Sequence, residues 1–184
     1  EPTLTGPGGA GFATLHMADG DERVIDFFAA VPGVGRSVAS ASGPIPVDVL
    51  FGATTQTFHV GPQSVAVPGM VAGVLGMHER YGVLPRARVM ERGIELARQG
   101  IHLSAEQAYC HHLHGRAMFS PEGPMLGAGD HFVQPQLADT LQYLADTGAD
   151  AFYRGDIARE IVAWSDANDG LLSRADLEQY EVID

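Results

Sequence analysis

The chain has 184 residues, 45% of them apolar, which is enough for one domain-sized core or part of a larger one and too little for two full domains. Eleven Arg and no Lys stand against 23 Asp and Glu, and the net charge of −12 repels phosphate backbones and anionic membrane surfaces, so nucleic acid is excluded as an expected partner. A single cysteine, Cys110, excludes an internal disulfide framework and any multi-cysteine metal site.

No apolar run approaches the roughly 20 residues of a spanning helix, and Glu1-Pro2 opens the chain without a charged or apolar leader region, so a soluble chain with no membrane span is expected. Near the start, Gly6, Gly8 and Gly11 fall at G-x-G-x-x-G spacing. A dinucleotide site needs a strand before such glycines and a helix after them, because the helix N-terminus holds the pyrophosphate. Here Phe12–Met17 reads as a strand, Ala18-Asp19-Gly20-Asp21 as an Asp-Gly turn and Arg23–Phe27 as the returning strand. The glycines are therefore read as tight turns beside a hairpin occupying residues 1–28, and no nucleotide is expected.

Residues 29–64 are rich in Gly, Pro, Ser and Thr and read as a mostly irregular excursion. Within them, Val47–Phe51 fits a helical turn or a strand equally well. Thr54, Thr55 and Thr57 are assigned to turn chemistry and not to catalysis.

From residue 65 to 184 the pattern becomes helical. Pro68 and Gly82 bracket one helix, Pro85 and Gly100 the next, with Met90, Ile94, Ala97 and Ile101 on one apolar face. Ser104 and Gln107 form a capping box that starts a third helix. Leu137, Leu141 and Leu144 mark a fourth, Ile157, Ile161 and Trp164 a fifth, and Ser173 caps a sixth that runs to Tyr180. In Cys110-His111-His112-Leu113-His114, Cys110 with His114 and His111 with His114 have helical spacings that suit a transition metal, but Tyr109 and Leu113 point to a half-buried helix and no third or fourth ligand is evident, so no metal site is assigned and a pH-sensitive surface is the other reading. The pairs Asp19/Asp21 and Asp166/Asp169 fall in turns and read as turn chemistry.

Several strings in this order resemble the large-subunit portion of gamma-glutamyltranspeptidases, members of the N-terminal-nucleophile hydrolase superfamily. They are the Gly-rich turn before Phe12, Val24-Ile25-Asp26-Phe27, Ser64–Gly73, Arg80-Tyr81-Gly82-Val83-Leu84-Pro85, Ile94–Gly100, Ala151-Phe152-Tyr153-Arg154-Gly155 and Gly170–Tyr180. The resemblance covers nearly the whole chain and is weakest from Val31 to Gly61. It implies an α+β fold, part of a four-layer αββα arrangement in which an N-terminal hairpin is followed mostly by helices.

The resemblance also implies an activity: a self-cleaved precursor whose freed N-terminal threonine attacks a gamma-glutamyl amide, with no cofactor or metal. That nucleophile is expected downstream of Asp184, so no catalytic residue is assigned within this chain, and the fragment alone is expected to be inactive. The implied partners are a small-molecule gamma-glutamyl substrate of the glutathione type and the missing small subunit. Faces such as Met90/Ile94/Ala97 and Leu137/Leu141/Leu144 are expected to stay partly uncovered without that subunit. Periplasmic, secreted or cell-surface placement follows from the same resemblance.

One position departs from the family pattern. Where the family carries an arginine that pairs with the substrate's α-carboxylate, just after the Asp-Phe of the second strand, this chain has Phe28. A guanidinium forks onto a carboxylate and a phenyl ring offers no donor. Arg36 is the nearest candidate to replace it. The alternatives are a related acylase with an apolar acyl substrate, which Phe28 would help accept, or a diverged scaffold without catalysis.

Overall fold

The computed structural model describes residues 5–36, 43–114 and 123–184, except for the side chains of 110–114. Two compact units divide the chain, one built around Leu75–Gly148 and the other from Gly9–Val74 together with Ala149–Asp184.

The second of these units begins with strands β1 (Gly11–His16) and β2 (Glu22–Phe27), paired antiparallel from Gly11 opposite Phe27 to His16 opposite Glu22. Between them Gly20 takes φ 88°, and Asp19 Oδ1 accepts from Asp21 N–H, the Asx geometry that the Asp-Gly pair favours. Alternation along β2 buries Ile25 and Phe27 on one face and presents Val24 and Asp26 on the other. On the opposite edge of β2, Asp26 exchanges backbone hydrogen bonds with Ile183, so this strand is flanked on both sides.

Residues 45–60 correct the reading of this region as irregular. Strands β3 (Ile45–Phe51) and β4 (Thr54–Val60) form a second antiparallel hairpin turning at Gly52, which has φ 62°. Pairing Val47 with Phe58 and Ile45 with Val60 gathers an apolar side, while Asp48 and Thr57 share the other through a 2.6 Å hydrogen bond. Thr54, Thr55 and Thr57 are thus strand residues.

Helix α1 (Met70–Tyr81) follows Pro68-Gly69, and its first turn packs against β2 only because glycine stands there. A methyl group at Gly73 would overlap the Phe27 ring, and one at Gly69 would meet the Phe27 carbonyl and the Tyr180 hydroxyl. The unit is completed by α5 (Asp150–Tyr153), α6 (Asp156–Ala167) and α7 (Arg174–Glu178). Helix α6 buries Ala158 and Ser165 and half-buries Ile157 and Ile161, but leaves Trp164 54% exposed, so of the expected Ile157/Ile161/Trp164 stripe Trp164 is the member that turns outward.

In the other unit, α2 (Arg86–Gln99) lies against α4 (Pro135–Thr147), and both helices stop at glycines with φ 85°, Gly100 and Gly148. Ile94, Ala138 and Ala145 form a core on which Met90, Ala97 and Leu141 pack, so the two apolar stripes expected to stay partly uncovered face each other, with Met90, Ala97, Leu137 and Leu141 half-buried. Arg86 donates from Nε to the Ala145 carbonyl at 2.8 Å, satisfying an orphan acceptor at the end of α4. A smaller core of Leu103, Ala108 and Phe132 joins α3 (Ala105–His114) to the short pair β5 (Ile101–His102) and β6 (His131–Phe132). At its start Ser104 and Gln107 exchange bonds of 2.9 and 3.2 Å, the capping box read from the sequence.

Candidate active-site groove at the end of β2

A groove of about 560 Å³ opens where β2 ends, entirely within the unit formed by Gly9–Val74 and Ala149–Asp184. Its floor is made by the chain running from Asp26 through Ala30, held by two isolated bridges: Asp26 to Ile183 and Ala30 to Val67. Its walls carry Val31, Val34 and Ile183 on the apolar side and Asp176, Tyr180 and Glu181 on the polar side.

Phe28 stands at the mouth. Its N–H donates to Asp26 Oδ1 at 2.8 Å and its carbonyl accepts from the Tyr180 hydroxyl at 2.8 Å, which fixes the backbone on both sides of the ring. The ring stacks on Phe12 of the adjoining strand, with centroids 5.3 Å apart and planes 13° from parallel. Both rings remain open to solvent, Phe28 58% and Phe12 60% exposed. The register explains this: Phe12 pairs with Asp26 on the face opposite Ile25 and Phe27, and Phe28 continues that face.

One buried carboxylate shapes the wall. Asp176, 4% exposed, accepts from the N–H groups of Gly33 at 3.0 Å and Val34 at 2.9 Å, and from the N–H and hydroxyl of Ser173, both at 2.7 Å. Burial pushes its pKa up, but the donors from Gly33, Ser173 and Val34 outweigh that and hold it below the ordinary 3.8. Gly33 takes φ 112° and Gly35 φ 73°, left-handed conformations that let successive N–H groups converge on one acceptor. Ser173 and Asp176 at the same time form the capping box of α7, so one carboxylate caps a helix and clamps a loop.

Behind the groove two tyrosines stack, Tyr153 and Tyr180, with centroids 5.5 Å apart. The Tyr153 hydroxyl donates to the Pro68 carbonyl at 2.8 Å and accepts from Ala72 N–H at 3.1 Å, tying α5 to the start of α1. Burial raises its pKa, and the Ala72 donor offsets only part of the rise. Tyr180 is raised as well, first by burial and then by the charge of Asp26.

Of the residues singled out in the sequence, Phe28 lines the groove and Arg36 does not. Arg36 turns its guanidinium to Asp166 Oδ1 at 2.5 Å and the Leu172 carbonyl at 2.9 Å, fastening the 33–36 turn to the loop before α7. The side chains of Cys110, His111, His112 and His114 lie outside the described residues. Asp176, Tyr153 and Tyr180 drew no individual attention in the sequence although they sit inside strings that did. Their roles rest on partners more than 80 residues away, as the 2.8 Å bond between Tyr153 and Pro68 shows.

The fold, a hairpin leading into helices, is shared with solved gamma-glutamyltranspeptidases, which are N-terminal-nucleophile hydrolases. The structure of Helicobacter pylori gamma-glutamyltranspeptidase superposes with a TM-score of 0.80 at 27% identity, covering 99% of this chain and 53% of that one. The chain belongs to the gamma-glutamyltranspeptidase family, whose model it matches over residues 1–183. A glutathione hydrolase proenzyme of Pseudomonas sp. (strain A14) is 32% identical, with 98% of this chain and 32% of the relative covered. The acylase ACY 1 proenzyme of Pseudomonas sp. (strain SE83) is 30% identical, with 99% and 34% covered. The chain thus spans about a third of the length of these curated relatives. Among the described residues no helix is long and apolar enough to cross a membrane.

Proposed function

We propose that this chain is the large-subunit part of a self-processing amidase that transfers or hydrolyses acyl groups in the manner of the gamma-glutamyltranspeptidases. The observation that carries the reading is the unbroken family match over residues 1–183. In this reading a threonine outside the chain, freed as an N-terminus, attacks the amide carbonyl while its own α-amine takes the hydroxyl proton. The donor's amine then leaves with a proton, and water or an acceptor amine takes the acyl group. Gamma-glutamyl amides of the glutathione type are the donors that the glutathione hydrolase relatives suggest, and the acylase relatives suggest that the same scaffold serves other acyl groups.

The contribution of this chain is a wall of the acyl pocket, with Phe28 in the place of the arginine that the resemblance implies. The chemistry calls for no cofactor. The rest of the full-length protein is the proposed partner, and placement outside the cytoplasm is proposed from the same kinship.

Expression of the full-length precursor tests the reading. Cleavage into two chains with a new N-terminal threonine, followed by turnover of an acyl anilide, is the expected result. An intact precursor with no amidase activity on gamma-glutamyl or apolar anilides would leave the chain as a non-catalytic scaffold.

A further inference from the structure

We propose that the groove beneath Phe28 receives an apolar acyl group and selects against donors that carry a free carboxylate at that end. The inference rests on the acyl-transfer reading above and names its substrate class.

The charge of the lining argues first. Among the described residues it contains three carboxylates, Asp26, Asp176 and Glu181, and no Arg, Lys or His. A bound carboxylate would face like charges with no cationic partner among the described lining residues, which is unfavourable. Arg36, the cation of the adjoining turn, has its guanidinium committed to Asp166 and to the carbonyls of Leu172 and Gly170. Reaching the groove would break the attachment of the 33–36 turn.

The aromatic pair argues second. The apolar surface of the Phe28 ring lines the groove and is backed by Phe12 just outside the lining, stacked at 5.3 Å; both are more than half exposed, and the backbone is held on both sides of Phe28. Such a surface gains most when an apolar or aromatic group covers it, because the rings are already ordered and little conformational freedom is lost. Val31, 88% exposed, extends the same surface along the wall. At about 560 Å³ the recess has the size of small-molecule sites.

The test uses the full-length precursor and two probes, phenylacetyl 4-nitroanilide and gamma-glutamyl 4-nitroanilide, with the wild type, Phe28→Arg and Phe28→Leu. The expected wild-type kcat/KM is at least about 10-fold higher for the phenylacetyl donor, the scale of discrimination a hydrophobic pocket supplies. Phe28→Leu should keep that order, and Phe28→Arg should move the ratio toward the gamma-glutamyl donor by about 10-fold or more. A wild type that prefers the gamma-glutamyl donor, with a ratio unmoved by Phe28→Arg, overturns the inference and leaves the acyl-transfer reading standing. If the variants lower the yield of processed enzyme and leave the ratio of the two donors unchanged, the rings pack against the rest of the protein and the inference also falls. An unprocessed precursor inert toward both probes defeats the acyl-transfer reading itself.

Discussion

Replacing Asp176 by alanine removes an acceptor that no neighbour can supply. The carboxylate takes three backbone N–H groups, from Gly33, Val34 and Ser173, and the Ser173 hydroxyl, all between 2.7 and 3.0 Å. A hydrogen bond to a charged group contributes about 1.5–3 kcal/mol, but the four do not add, because the 33–36 turn can swing its freed N–H groups to water. The N–H of Ser173, a residue only 9% exposed, has less freedom to do so. An overall loss of about 3–5 kcal/mol is expected, since each donor left unmet in the interior costs about 1–3 kcal/mol and part of the set relaxes to water. Asp176→Asn keeps one carbonyl oxygen for Gly33 and Val34 but turns an amide donor toward Ser173, and about 1–3 kcal/mol is expected. Urea unfolding followed through Trp164, the single tryptophan, measures both. Wild-type stability within about 0.5 kcal/mol for the alanine variant would show that the carboxylate does not hold the turn.

Four further outcomes follow from the same geometry. Because the fold depresses the Asp176 pKa, its stabilisation is complete above the ordinary 3.8 and fades as pH falls through the folded value, and an acid titration of Asp176→Asn should lack that component. Tyr153 is raised, so its contribution is present below 10.0 and lost as pH climbs toward the folded value; Tyr153→Phe should abolish this alkaline loss and cost about 1–3 kcal/mol through the orphaned Pro68 carbonyl and Ala72 N–H, read by thermal unfolding across pH. Gly73→Ala drives a methyl into the Phe27 ring and should destabilise by about 1–3 kcal/mol, measured as a lower urea midpoint. Leu144→Ala, at a site 2% exposed, should cost about 2–5 kcal/mol in the same assay.

Much of this architecture is legible in the residues. The first hairpin follows from Asp19-Gly20 between two alternating runs, and helix limits follow from Pro85, Gly100 and Gly148, whose ring or positive φ imposes a boundary wherever they occur. Local hydrogen-bond devices, such as the Ser104 and Ser173 capping boxes, are equally readable because all their partners lie within three residues.

The second hairpin escaped because β3 is too short for its length to separate strand from helical turn, and β4 is half polar. Only the cross-strand register, Val47 against Phe58, turns the pattern into an apolar side. Trp164 differs for the opposite reason: its hydrophobicity marks it as core, while the face that α6 buries holds the smaller Ala158 and Ser165, the latter close against Gly170. In the groove the identity of Phe28 was visible from its neighbours in sequence. The Tyr180 bond that fixes its carbonyl and the Asp176 clamp on the neighbouring 33–34 turn depend on pairings 143 to 152 residues apart that no local pattern encodes.

Those separations have a consequence for synthesis. Gly33 and Phe28 leave the ribosome long before Asp176, Tyr180 and Ile183, and at about 5–20 residues per second the wait is on the order of ten to thirty seconds. During that interval the β1–β2 ribbon lacks its third neighbour, with the backbone groups of Asp26 and the Phe28 carbonyl still without Ile183 and the Tyr180 hydroxyl. Translation pauses or chaperone contacts between synthesis of Gly33 and synthesis of Asp176 should therefore affect the yield of native protein.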